Sequence, residues 1–344
     1  MITKAFACYN LIEEERSRSS SGGIYPLIAR EMLCDGGVIF AACYDDNLDV
    51  VHRLIESEDG IHDSQGSKYV QSSLSKTFRS IISRLNDGGK VLFVGTPCQC
   101  AGLISLVNVT KTPRSGLYVM DFVCHGVPGR AAWNGYKKSR SLGGNNITSI
   151  NMRDKSTGWT NGDYAWKETM SNGEDVVTPR RKNPFMNGML ANLYLRPSCF
   201  DCGFKGIDRY TDITLGDYWG VWDHLPEMDD NKGTSIVLVH TEQGMQLFDR
   251  IKDSIKIADA DIKRAVERNS CIVEATKYSK KREVFFERLN KGEDFITIVN
   301  DLTRTSLIGK VKNKMIKIVR NSWGGYVSST QIMPSSRNRI GVVA

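Results

Sequence analysis

The chain has 344 residues, with 40% hydrophobic and 25% charged residues and a formal net charge of +7. That length suits about two domains and a core that needs no disulfide or metal staple. The balance excludes a disordered, collagen-like or low-complexity chain, and the modest charge, without aromatic–basic interleaving, gives no argument for nucleic acid. No apolar run reaches the ~18 residues of a spanning helix. The opening MITKAFACYNLIEEERSRSS lacks the apolar centre of a signal peptide, so a cytoplasmic protein is expected.

The first apolar segment is 4–9. Arg18 to Gly23 then reads as a loop entering a helix, because Ile24, Leu27, Ile28, Met32 and Leu33 recur at helical spacing after serines suited to capping. Gly36 and Gly37 stop it. VIFAACY is a continuous apolar run of strand length, as expected of a buried parallel strand. The pattern repeats. Residues 73–86 read as a helix with Phe78, Ile81, Ile82 and Leu85 on one face. KVLFV (90–94) reads as a strand, Gly95-Thr96-Pro97-Cys98-Gln99 as a loop, 100–107 as a helix and LYVMDFV (117–123) as a strand.

This alternation predicts an α/β fold: a largely parallel sheet with helical crossovers, plus mixed α+β additions. Parallel strands would bring Cys98 and Cys124 to the same carboxyl edge, where open α/β sheets bind ligands. Residues 145–195 are less regular and read as an antiparallel excursion or a cover over the site. SIVLVHT (235–241) reads as a further strand and 243–256 as a helix. We therefore divide the chain into an α/β part (1–140), a covering part that holds the later cysteines (141–300) and a basic tail (301–344). Within the tail, 306–320 reads as an amphipathic basic helix, suited to an anionic membrane or an acidic partner, or merely packed on its own domain.

Nine cysteines are present. Without a secretion signal a disulfide framework is not expected. Cys34 and Cys43 lie in apolar runs and read as small core residues. Cys100 reads as core also. Cys199 and Cys202 form a CxxC, which lets two thiolates reach one metal from a tight turn. With Cys98 and Cys124 they make four, the number that binds a tetrahedral zinc or an iron–sulfur cluster. The alternative leaves Cys98 and Cys124 inert beside a redox or zinc CxxC. Ser20-Ser21-Gly22-Gly23 before a helix could cradle a phosphate, and Gly66-Ser67-Lys68-Tyr69 and Gly95-Thr96-Pro97 could approach a dinucleotide, although each could also be only a turn. Neither GxGxxG nor a Walker A sequence occurs. His125 could protonate a substrate, or could position the Cys124 loop. Asp217 could orient a site group or cap a turn. Most tryptophans read as core or pocket wall.

These segments, in this order, carry a resemblance. Ser20-Ser21-Gly22-Gly23, Gly66-Ser67-Lys68-Tyr69-Val70-Gln71-Ser72, Gly95-Thr96-Pro97-Cys98-Gln99 and Cys124-His125-Gly126-Val127-Pro128 come first. Met152-Arg153-Asp154-Lys155 with Gly158-Trp159, Arg196-Pro197-Ser198-Cys199 with Cys202, and Asp212-Ile213-Thr214-Leu215-Gly216-Asp217 follow. Across about residues 5–290 the chain resembles the coenzyme F-420 hydrogenase/dehydrogenase beta-subunit family, without the ferredoxin-like domain that many relatives carry at the N-terminus.

The resemblance implies an iron–sulfur flavoprotein oxidoreductase holding FAD and a 4Fe–4S cluster. It passes electrons between the cluster, the flavin and a two-electron carrier or small-molecule substrate, a deazaflavin in archaeal members. Some relatives occur beside bacterial polysaccharide-synthesis genes. The resemblance implies Cys98, Cys124, Cys199 and Cys202 as cluster ligands. The loops holding Ser20, Ser21, Gly22, Gly23, Gly66, Ser67, Lys68, Tyr69, Gly95, Thr96 and Pro97 would line the flavin. His125 and Lys68 are the expected proton donor and flavin-phosphate or ring contact. A separate ferredoxin or other donor protein is implied as partner, in an oligomeric assembly. The contrasting reading is a metal-stabilised scaffold in a polysaccharide-assembly complex.

Overall fold

The computed structural model describes residues 3–141 and 144–304. The strands are β1 (Lys4–Asn10), β2 (Val38–Tyr44), β3 (Val50–Ile55), β4 (Val91–Gly95), β5 (Leu117–Phe122), β6 (Ile147–Asp154), β7 (Ala165–Met170), β8 (Asp175–Pro179), β9 (Ile213–Asp217), β10 (Ser235–Val239) and β11 (Ile255–Asp259). Eight form one sheet in the order β11-β1-β10-β9-β5-β4-β2-β3, and β6-β7-β8 form a second. The four central strands β2, β4, β5 and β9 run parallel. Antiparallel strands flank them on both sides. The α/β reading with a parallel centre therefore holds. Met1–Leu302 gather into one compact unit. The basic segment 306–320 lies outside the described residues.

Alternation explains how the sheet is filled. In β2, Val38 and Phe40 join a core on one face with Val91, Phe93, Leu117 and Val119, under helices Thr77–Asn86 and Pro97–Val109. Ile39, Ala41 and Cys43 join the opposite core, under helix Ile24–Cys34 and helix Glu242–Asp249. The period of two sends successive residues to opposite faces. A strand covered on both faces must be apolar throughout, which is why VIFAACY shows no polar alternation. The antiparallel excursion packs β6 and β7 on an aromatic cluster centred on Phe185, which touches Trp133, Tyr136, Trp166, Tyr194 and Phe295.

Four local expectations are corrected. The helix expected over 73–86 starts at Thr77. Ser73 instead pairs with β3, accepting from the His52 N–H and donating its own N–H to Val50, so its backbone is unavailable to a helix. The helix expected over 243–256 ends at Asp249, and Ile255–Asp259 continues as β11 along β1. Cys98 is not in a loop: Thr96 caps a helix that begins at Pro97, whose missing N–H costs nothing at a first helical position. Cys34 is exposed, because it closes its helix on the face away from the sheet cores. Cys43 and Cys100 are buried as expected, with the Cys100 thiol donating to the Met120 carbonyl.

Two buried histidines couple this fold to pH. His240 is 2% and His52 8% exposed. Burial pulls each down to about 4, aided at His240 by Arg209 and at His52 by Lys68. The unfolded chain therefore binds more protons than the fold below about pH 6.5, so stability is complete above that value and falls toward pH 4. Each histidine contributes roughly 3 kcal/mol across this window. We expect the unfolding midpoint in urea to drop steeply from about pH 6.5 to 4 and His240→Gln to flatten that drop. An unchanged slope in the variant would contradict the assignment.

Candidate functional site

The site opens at the carboxyl ends of β4 and β5. There the parallel register from Val91↔Leu117 to Gly95↔Asp121 delivers both chain segments to one edge. A cavity of about 270 Å³ lies there. Its wall includes Ser20, Ser21, Gly23, Gly66, Ser67, Lys68, Tyr69, Gly95, Thr96, Cys124 and His125. Gly22 and Pro97 are not part of that wall. Gly22 is needed for close approach, since a Cβ there would sit 2.3 Å from the Cys8 carbonyl oxygen and 2.8 Å from the Ser235 nitrogen. Gly23 adopts φ +78° and starts helix Ile24–Cys34 without a side-chain cap. Its free N–H groups and helix dipole therefore form an electropositive end beside the cavity.

The loops are tied to one another. The Ser67 N–H donates to Ser20 Oγ at 2.6 Å. Gln99 receives the Thr96 N–H at 3.0 Å and donates to Ser72 Oγ at 2.9 Å, joining the Gly-Thr-Pro loop to the Gly-Ser-Lys segment. Lys68 Nζ donates to the carbonyls of Ser64, Gln65 and Gly66 at 3.0, 2.9 and 3.2 Å. Three carbonyls match the three protons of an ammonium, so Lys68 ties off the end of helix Glu58–Ser64 while lining the cavity. Burial pulls its pKa down to about 8.

Arg153 organises the far wall. It is 3% exposed and holds Asp217 through two bonds of 2.8 and 3.1 Å. It also donates to Tyr69 Oη at 2.9 Å and to the Ser20 carbonyl at 3.0 Å, and its guanidinium lies 4.0 Å over the Tyr164 ring. The sequence offered Arg153 only as part of a motif. Its role in joining three distant loop segments comes from the fold. Asp217, expected to orient a site group or cap a turn, orients Arg153.

The cysteine segments meet at the same edge. Gly126, at φ +144°, lies so close to Cys199 that a Cβ would fall 3.2 Å from Cys199 Cβ and 3.0 Å from Leu195 Cδ1. The Val127 N–H donates to Cys199 Sγ at 3.5 Å, and the Arg196 N–H to the Val127 carbonyl at 2.9 Å. Cys98 Sγ lies 3.2 Å from Thr96 Oγ1. Burial pushes the Cys124 thiol up to about 12, with Lys205 pulling it down and Cys199 and Cys98 pushing it further up. Cys199 is raised by burial, against the Val127 N–H and Arg196, with further upward pushes from Cys98 and Cys202. Cys98, Cys124 and Cys199 thus act electrostatically on one another, and Cys202 acts on Cys199. Among the described residues, no three His, Cys, Asp or Glu side chains close on a single metal ion.

His125 lines the cavity with both ring nitrogens engaged. Asn192 gives its Nδ2 protons to the Lys277 carbonyl at 2.9 Å, so its Oδ1 faces His125 Nε2, which donates at 2.9 Å. His125 Nδ1 is 3.4 Å from Cys271 Sγ. Burial pulls the His125 pKa down, so the neutral ring accepts the Cys271 thiol proton at Nδ1. Sequence spacing carried no signal for Cys271. It carried none for Arg209 either, which pairs with buried Asp121 at 2.8 Å and ties the segment after Cys202 to β5.

The fold and the cysteine-edged cavity define an α/β architecture with candidate ligand loops at the carboxyl edge of parallel strands. Residues 88–265, just over half of the chain, match the family described as coenzyme F420 hydrogenase/dehydrogenase, C terminus of the beta subunit, and the chain belongs to that family. The role this implies is that of an oxidoreductase. A chain from the structure described as "Xenon derivatization of the F420-reducing [NiFe] hydrogenase complex from Methanosarcina barkeri" is similar, with TM-score 0.52 and 15% identity over 84% of this chain and 93% of that one. That likeness is one of fold. No curated protein matches. Among the described residues, no helix is long and apolar enough to cross a membrane.

Proposed function

We propose that the protein is an iron–sulfur flavoprotein oxidoreductase, with FAD in the cavity and a 4Fe–4S cluster on Cys98, Cys124, Cys199 and Cys202. The observation that carries this reading is the shared edge: the Ser/Gly, Gly-Ser-Lys and Gly-Thr loops line one cavity whose wall also includes Cys124. The donor set fits. Cys98, Cys124 and Cys199 interact electrostatically, Cys202 joins them through Cys199, and four thiols offer soft ligands. A single zinc ion needs its sulfurs about 2.3 Å from one point, whereas a four-iron cluster puts iron and sulfide between its thiolates and takes them further apart. When bound, the cluster would move single electrons and the flavin would exchange them in pairs, coupling a ferredoxin-type donor to a deazaflavin or small-molecule acceptor.

The chain's own residues supply binding and orientation. The uncapped start of helix Ile24–Cys34 offers N–H groups to a cofactor phosphate. Ser20 and Gln99 hold the three cavity loops in register. We assign His125 and Lys68 a positioning part. His125 fixes the Cys124 loop between Asn192 and Cys271, and Lys68 fixes Gly66–Tyr69 through three carbonyls.

The test is anaerobic purification with iron–sulfide reconstitution, followed by counts of iron, sulfide, zinc and flavin. We expect about four irons per chain and released FAD. Zinc with no flavin would overturn the proposal in favour of a metal-stabilised scaffold.

A further inference from the structure

Lys205 stands out among the charged groups near the cysteines. Its ammonium donates to the Cys124 carbonyl and, at 2.9 Å, to the Cys271 carbonyl. It is partly buried. Among the described residues no carboxylate lies within ion-pair distance of it, whereas the other strongly engaged cations of this region, Arg209 and Arg153, each hold an aspartate. Withdrawing a cation from water without an opposite charge is costly. The arrangement is that of a cation waiting for an anion at the cysteine edge.

We propose that Lys205 is the counter-charge of the thiolate-ligated cluster: it positions the Cys124 ligand through the backbone and raises the cluster's reduction potential. This rests on the cluster reading given above. Four thiolates and sulfide leave a 4Fe–4S centre negatively charged, and reduction adds one more negative charge. A fixed positive charge beside one ligand stabilises the reduced form more than the oxidised form. Bonds to two carbonyls hold that charge in place, so it costs no reorganisation when the electron arrives.

The test uses the reconstituted full-length protein and an EPR-monitored redox titration of wild type, Lys205→Gln, Lys205→Met and Lys205→Arg, with iron counted in each. We expect Gln and Met to shift the cluster midpoint to more negative potential and Arg to keep it near the wild-type value. Loss of iron in Gln and Met with retention in Arg would also support a counter-charge, because Arg alone keeps the positive charge while Gln keeps an N–H donor without it. A midpoint in Gln and Met equal to wild type overturns the inference, as does an equal shift in all three variants. Wild-type protein that takes up no iron would instead overturn the function proposed above, so the two failures are distinguishable.

Discussion

Cys124→Ser is expected to reduce reconstituted iron from about four per chain to below one and to abolish electron transfer between donor and flavin. Serine conserves size and hydrogen bonding, but its hydroxyl does not ionise to a soft ligand at neutral pH. Cys124 is the member of the set that also lines the cavity, so its loss breaks the contact between the cluster edge and the cofactor space. Cys100→Ala is the control. Cys100 is only two residues from Cys98, yet it is fully buried and packs among Val91, Phe93 and Leu103, so its removal should leave the iron count unchanged. Iron counted per chain by colorimetric assay, with circular dichroism to verify folding, decides the matter. A Cys124→Ser protein with full iron would remove this residue from the ligand set.

Arg153→Met should lower stability by about 3–5 kcal/mol and strip the protein of flavin. The size follows from what remains behind. Asp217 keeps a carboxylate that is only 16% exposed and loses its sole ion-pair partner among the described residues. The Ser20 carbonyl and Tyr69 hydroxyl each lose a donor at the same moment, the Ser20 carbonyl keeping Trp159 Nε1, so two cavity loops are held more loosely. Urea unfolding and flavin content measure the two effects separately. Combining Arg153→Met with Asp217→Asn should recover part of the stability, because the orphan charge is gone, while flavin stays lost because the loops remain untied. Equal destabilisation in the single and double variants would show that lost packing on Tyr164, rather than the unpaired carboxylate, sets the cost.

Local pattern carried much of this protein. Continuous apolar runs of strand length, separated by helical periodicity and paired glycines, were enough to read β2, β4 and β5 and the parallel centre. From that parallel centre alone, Cys98 and Cys124 could be put on one edge, because parallel strands deliver their carboxyl ends to the same side. The order of the short motifs was sufficient to identify the family, which the match over residues 88–265 shows. Boundaries were less legible where a backbone had a distant partner. Ser73 reads as helical from its neighbours, but its N–H and carbonyl are taken by β3. Ile255 and Lys256 read as the end of a helix, but with Ile257–Asp259 they form β11 along the edge that β1 offers.

What the tertiary structure alone decided is how charged and polar side chains far apart in sequence pair with one another. Arg153 meets Asp217 and Ser20, Arg209 meets Asp121, and Lys205 bridges the Cys124 and Cys271 carbonyls across 81 and 66 residues. Hydrophobic periodicity reports which face of an element is buried, since burial depends on the side chain and its spacing. It carries nothing about which partner compensates a buried charge, because that partner is selected by the assembled fold, where the cost of leaving the charge alone must be met.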